Sequence, residues 1–504
     1  MPNDKQQPAS IQEKVLEIGG RLKSAPSKRL INAVFASELS HQNHLFEALG
    51  LVDIAHTLCA IDAQTIPAKE GRDLLAHLLE LQDRPDTFSM TPDRGDIYTN
   101  REAWLAERTD ATGWLGAGRA RREAITTAFV LVTRQCLLEF SETLIDLCRT
   151  MVQQAERHGL TLMPDYTYLQ AAQPTTFGHY LLAFTYPLLR DLDRLKALLA
   201  RLNLSPMGCG STNGSRLLQE RKQLADLLGF NGLIAHARDA MWQADLFIET
   251  ASILTTCSIS LSRLAEDLQV YSTQEFALVE LDDRHARASK IMPQKKNPFA
   301  LTHIRGVANK TTGLLTSVAA AARTPSGQPD NRLLIYGDLP EALQTVNDAA
   351  GLMAEVLQSI SFNTARGEAL VNVGWALSTD LAESLVLECG LDFRSAHHLV
   401  AFLASEYRGK SIRELSYENL MQAVVTVLGR SIELTEQQFK AALDANLALQ
   451  ARTQPGGTSM DSMNTMIAEC REQLAKHHQK NQANKTYIAD KQRDLLEQAI
   501  KAIG

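Results

Sequence analysis

Apolar side chains recur at intervals of three and four residues along almost the whole chain. That is the period of an α-helix with one buried face. The strict alternation of a half-buried strand is almost absent. The stretch 122–159, REAITTAFVLVTRQCLLEFSETLIDLCRTMVQQAERHG, predicts one helix that Gly159 ends. At ~1.5 Å per residue it spans on the order of 50 Å. A second long helix is predicted over 239–272. Its section from Ala251 to Ser262 carries no charge, so most of its faces should be covered. Further long helices are predicted at 176–202, 298–322 and 340–361. All exceed the common length of about 11–12 residues, which points to a central bundle and an all-α protein.

Breaks in the pattern divide the chain. PDTFSMTPDRGD (85–96) and GWLGAG (113–118) end an N-terminal helical region, 1–115. The bundle follows at 116–366, interrupted by the loops SPMGCGSTNGS (205–215) and RTPSGQPDN (323–331). A C-terminal helical region, 367–504, is interrupted by TQPGGTS (453–459) and ends in a polar tail with a weak helical period. No internal repeat is present. The uncharged section 251–262 offers too few polar positions to face water in a lone bundle. A homotetramer with helices packed across subunits is therefore expected.

Composition narrows the class. Of 504 residues, 45% are hydrophobic and 22% charged, which excludes a mostly disordered chain. A net charge of −7 is small for this length and gives no reason to expect nucleic acid or a membrane as partner. The seven cysteines are scattered, with no C-x-x-C pair and no metal-ligand spacing. No metal site is expected, and an odd, unframed cysteine count fits a reducing compartment. The N-terminus has no apolar leader core, and no apolar run of the ~20 residues that a membrane span needs is evident. A cytoplasmic protein is expected.

One stretch stands apart. RASKIMPQKKNPFAL (287–301) places Met-Pro, two lysines and Asn-Pro in seven residues, with a serine just upstream. Pro293 and Pro298 bar a regular helix between them, and Pro298 can start the helix that follows. This run resembles the shared loop of the fumarase/aspartase superfamily, roughly G-S-S-x-M-P-x-K-x-N-P. MPQKKNP is the form typical of its argininosuccinate lyase branch. DYTYLQAAQPTTFGHYLLAF (165–184) is similar to that branch's T-H-x-Q-x-A-Q-P region, and LGAGRARRE (115–123) to its H-T-G-R-S-R-N-D region. LSTDLAESLVLECGLDFRSAH (377–397) and PGGTS (455–459) resemble its third domain. The resemblance covers about residues 95 to 460. The first ninety residues match weakly, and the last forty-five or so look like an added or divergent tail.

The resemblance implies three mostly helical domains, four chains and active sites that combine segments of three subunits. It implies a β-elimination that releases fumarate from a succinylated amine, or the reverse addition, with no metal or organic cofactor. A base takes the proton next to a carboxylate, and the resulting dianion must be stabilised before the amine leaves. By resemblance Ser289 is the base, acting as an alkoxide, and Lys295 supplies the charge that stabilises alkoxide and dianion. Asn297 offers neutral donors to a substrate carboxylate. Thr167 and Gln170, with Gln173, match substrate-binding positions, and Arg121 matches the family arginine.

The sequence also departs from the family. Tyr168 stands where the family histidine would be. Its hydroxyl, with a pKa near ~10, can serve as an acid or an orienting group but is a poor base at neutral pH. His179 is expected to be a packed, satisfied histidine. Ala120 and Arg122 replace a serine and an asparagine, and Ala288 and Lys290 replace a loop glycine and serine. Arg119, Arg121 and Arg122 lie together before a helix, where cations oppose the dipole unless they face an anion. An anionic small-molecule substrate is expected to supply it. The extra charge of Arg122 would repel a guanidinium, so a less cationic leaving moiety than that of argininosuccinate is expected. Two alternatives stay open: a thiol leaving group, or a non-catalytic binding or structural protein on the same scaffold.

Overall fold

The computed structural model describes residues 10–218, 220–242, 244–323 and 335–504. The expected loop at 323–331 lies outside the described residues from 324 on. Five long helices form the bundle: Arg121–Arg157, Phe177–Leu202, Asp245–Tyr271, Phe299–Ala322 and Ile335–Ser359. The all-α expectation holds. The predicted 239–272 helix is two helices, Ala237–Trp242 and Asp245–Tyr271. The apolar period runs through the break, but Asp245 sits in the first turn of the second helix, where its charge favours a helix start.

The N-terminal region packs onto the bundle without a separate core. One apolar cluster runs from Leu39 through Ile360 and takes in the helices Phe46–Asp62 and Ala68–Asp83. Two helical segments, Asn43–Asp62 and Arg121–Arg157, are apolar and long enough to cross a membrane. Of their apolar windows 72% and 78% are buried in the protein, which makes them core elements here.

Residues 364–451 fold into six α-helices and one 3-10 turn, with two small apolar clusters, one of which also takes in Leu162. Gly390 and Gly429 end two of these helices at φ 65° and 67°, the left-handed cap that glycine adopts without strain. The tail departs from expectation. Ser459 caps a single 44-residue helix, Met460–Ile503, that returns to the main core. Its buried side chains include Met463, Met466, Cys470, Leu474, Ile488 and Leu495. The last helix thus belongs by packing to the bundle and not to the C-terminal clusters.

The sequence also hid a β-hairpin. Leu162–Thr167 pairs antiparallel with Gln170–Thr176, just past the C-terminal end of the Arg121–Arg157 helix. Thr176 then caps the next helix, its hydroxyl accepting from the His179 N–H at 3.0 Å.

Candidate active site

The loop 287–298 is itself a small hairpin. Arg287–Ala288 pairs with Lys296–Asn297, Arg287 opposite Asn297 and Ala288 opposite Lys296. The bend between them carries Ser289. Its backbone N–H donates to the Lys295 carbonyl at 3.1 Å. Its Oγ accepts from the Met292 N–H at 3.0 Å and the Ile291 N–H at 3.4 Å. Donors aimed at this oxygen favour its ionised form.

The two lysines part company. Lys296 bonds Glu280 Oε1 at 3.0 Å and Asp283 Oδ1 at 2.7 Å, and these carboxylates hold its pKa above the usual lysine range. Among the described residues Lys295 makes no ion pair, so its charge is available to a ligand. Asn297 donates from Nδ2 to the Arg287 carbonyl at 2.8 Å. One of its two N–H groups therefore holds the loop rather than facing substrate. No sequence signal marked Glu280 or Asp283.

The other hairpin presents Thr167, Tyr168 and Gln170. Thr167 and Gln170 are cross-strand partners and share one face. Tyr168 and Leu169 form the two-residue turn, both left-handed at φ 54° and 58°. Neither is a residue that adopts this region readily, and such strain is typical of functional positions. Tyr168 is 100% exposed. His179 is the satisfied histidine expected. Its Nε2 lies 3.0 Å from the Gly456 carbonyl and its Nδ1 3.0 Å from the Thr175 hydroxyl. Since a carbonyl only accepts, the proton sits on Nε2. The contact ties the hairpin base to the 455–459 loop.

The three arginines do not act as a cluster. Arg119 is buried and bonds Asp53 Oδ1 at 2.9 Å, while Arg101 holds Asp53 Oδ2 at 3.1 Å. Its guanidinium also donates to the Tyr98 hydroxyl at 3.4 Å. Arg119 is thus tied into the fold through Asp53 and Tyr98. Arg122 meets Glu38 at 2.9 Å and Asp96 at 3.7 Å. Its charge is balanced by these carboxylates, which removes the argument that it repels a guanidinium. Arg121, 46% exposed, touches Asp96 at 3.3 Å and keeps a face open to ligand. The acids Asp53, Glu38 and Asp96 were missed because each is remote in sequence or unmarked by any local motif.

The segments lie at two ends of the molecule. Arg121 begins a helix of 37 residues, roughly 54 Å long by its rise, and the Thr167–Gln170 hairpin follows the far end. The Ser289 loop shares that far end. Tyr166 packs 5.4 Å from Phe276, and Val279–Glu280 pairs with Ser361–Phe362, whose Phe362 ring lies 6.3 Å from that of His158. A single chain therefore cannot bring Arg121 to Ser289.

The family model described as Lyase matches residues 33–313, and the one described as Argininosuccinate lyase C-terminal matches 375–450. The argininosuccinate lyase of Methanococcoides burtonii is 34% identical over 462 residues, covering 90% of this chain and 92% of that one. The argininosuccinate lyase of Methanosarcina acetivorans is 33% identical over 490 residues, covering 95% and 97%. The chain belongs to the argininosuccinate lyase family.

Among solved structures, an EDDS lyase in complex with formate is 26% identical with a TM-score of 0.86, over 95% of this chain and 96% of that one. A class II fumarase from Schistosoma mansoni, 13% identical with a TM-score of 0.69 over 88% and 96%, shares the fold. The family match begins at residue 33, earlier than the motifs alone suggested. Coverage of 95% also means that the tail is not an addition peculiar to this chain. The C-terminal match coincides with the helices that carry their own apolar clusters.

Proposed function

We propose that the chain eliminates fumarate from a succinylated amine or amino acid, or adds the amine to fumarate, with Ser289 as the base. Membership of the family makes it a carbon–nitrogen lyase. The observation that carries the catalytic assignment is the Ser289 oxygen receiving two backbone N–H groups beside Lys295, which makes no ion pair with a described residue. Ser289 takes the proton next to the substrate carboxylate. Lys295 and the free N–H of Asn297 stabilise the dianion, while Arg121, Thr167 and Gln170 hold the succinyl carboxylates. Tyr168, at the hairpin tip, protonates or orients the departing nitrogen. The reading calls only on side-chain chemistry. One EDDS lyase structure holds fumarate, which supports fumarate as the common product.

The site is shared between subunits of a homotetramer. Support comes from the separation of Arg121 from Ser289 and from faces left open in one chain. Ile259, within the uncharged section, is 46% exposed. Gly306 and Gly313 on the Phe299–Ala322 helix have nothing within 4 Å of an added Cβ, so another helix can approach closely there. The free cysteines support a reducing compartment, the cytoplasm.

With Arg122 held by acids, argininosuccinate is the first compound to test, followed by fumarate with a pool of amines and thiols. Fumarate absorbance reports turnover, and mass spectrometry of the adduct names the atom bonded. Adducts through nitrogen are expected. Adducts through sulfur alone, or no turnover of any pair, would remove the reading.

A further inference from the structure

A narrow cleft of about 90 Å³ runs between the Arg121–Arg157 and Phe177–Leu202 helices and the last helix. One wall is apolar, built by Leu138, Ile145, Leu192 and Leu199. Its charged lining is of one sign. Arg134, Lys196 and Lys480 contribute, His477 stands beside them, and no Asp or Glu is among the described lining residues.

Arg134 is 2% exposed. Its guanidinium donates to Asn203 Oδ1 at 2.7 Å and to the carbonyls of Gly229 at 2.9 Å and Leu228 at 3.2 Å, and it lies 5.0 Å from the Phe230 ring centre. Every one of these acceptors is neutral. A buried cation without a carboxylate is costly, and burial pushes Arg134 down to about 10. Lys196 and Lys480 make no ion pair with a described residue. The acids on the adjoining faces are already paired: Asp193 with the lining His477 at 3.3 Å, and Glu142 with His478 at 3.1 Å, with Lys485 at 3.5 Å and with Nδ2 of the lining Asn481 at 3.0 Å. Asn481, also buried in the lining, has an Oδ1 without a partner among the described residues; that oxygen only accepts, so it stands apart from the cationic end of the cleft.

We propose that this cleft binds a small organic carboxylate with an apolar body, at a site separate from the active one. The head group meets Arg134, Lys196 and Lys480, and the body lies against the apolar wall. Bare phosphate is disfavoured because most of the wall offers it nothing. Arg134 lies 13 residues along the helix from Arg121, about 20 Å away. The ligand bridges the last helix to the bundle, so binding stabilises the docked helix.

Calorimetric titration and thermal melting of the full chain test this, with hexanoate and benzoate as probes. Their neutral amides and inorganic phosphate serve as comparisons. The carboxylates should bind and raise the melting temperature, and the amides should not. Lys196→Glu and Lys480→Glu, on different helices and outside the catalytic segments, should each weaken binding by about tenfold or more and leave lyase turnover unchanged. That pattern separates this cleft from carboxylate binding at the active site. Absence of binding at millimolar carboxylate would overturn the proposal. So would amides or phosphate binding as well, or affinity unchanged in both variants.

Discussion

The backbone N–H of Met292 donates to Ser289 Oγ across 3.0 Å, inside the seven-residue bend 289–295. The bend exists because Ala288 pairs with Lys296 and the Ser289 N–H bonds the Lys295 carbonyl. The same short hairpin therefore sets the base, points donors at its oxygen and fixes which lysine stands next to it.

The adjacent lysines should differ sharply. Lys295→Ala should lower kcat by about 10²–10³-fold, the usual cost of removing a charge that stabilises a transition state. Lys296 is already matched by Glu280 and Asp283, and exposed pairs of that kind contribute at most about 1 kcal/mol. Lys296→Ala should cost less than about tenfold. Steady-state kinetics of both variants check this, and equal losses would contradict it.

The buried pairing of Arg119 predicts a defect in stability rather than in binding. Asp53→Asn leaves two buried guanidinium groups without their carboxylate and should cost about 3–5 kcal/mol in denaturant unfolding. Arg119→Met keeps volume, leaves Asp53 with Arg101 and should cost less, about 2 kcal/mol or below. KM should not move in Arg119→Met. A large rise in KM would return Arg119 to the substrate.

Burial raises the Glu102 carboxyl from 4.5 to about 7, and nearby Arg119 only partly offsets it. The folded protein then holds a proton that the unfolded chain has lost between about pH 4.5 and 7. Stability from this group is full below that window and falls as pH rises through it. Glu102→Gln should flatten this slope and stabilise the protein by about 1–2 kcal/mol at pH 8. Melting curves at pH 5 and 8 check the sign.

If the site is shared, two dead variants should rescue each other. Arg121→Ala and Ser289→Ala, unfolded together and refolded as mixed oligomers, should regain up to about a quarter of wild-type activity. Sites that draw Arg121 from one chain and Ser289 from the other are intact. No recovery in confirmed hybrids would place both residues in one chain's site.

What the sequence made legible followed from contiguity and period. The bundle helices were readable because their apolar faces are broad, and the 287–298 loop because its residues are adjacent. The Leu162–Thr176 hairpin was not readable. Its turn has Tyr168 and Leu169 where glycine or asparagine would signal left-handed φ, and Pro164 lies opposite Pro174 in the ladder. The last helix shows only a weak period in the sequence because its inner seam is narrow. Leu474, Asn481, Ile488 and Leu495 recur only every seven residues, and one of them is polar. The pairing of Arg122 with Glu38 spans 84 residues, a distance no local pattern reports.

The most direct measurement is fumarate release by wild type and Ser289→Ala, followed by absorbance at saturating substrate. The change removes one hydroxyl from a surface loop, so fold and oligomer should persist. A loss of at least about 10²–10⁴-fold in kcat is expected, with substrate still bound. Turnover within a few-fold of wild type would show that Ser289 is not the base.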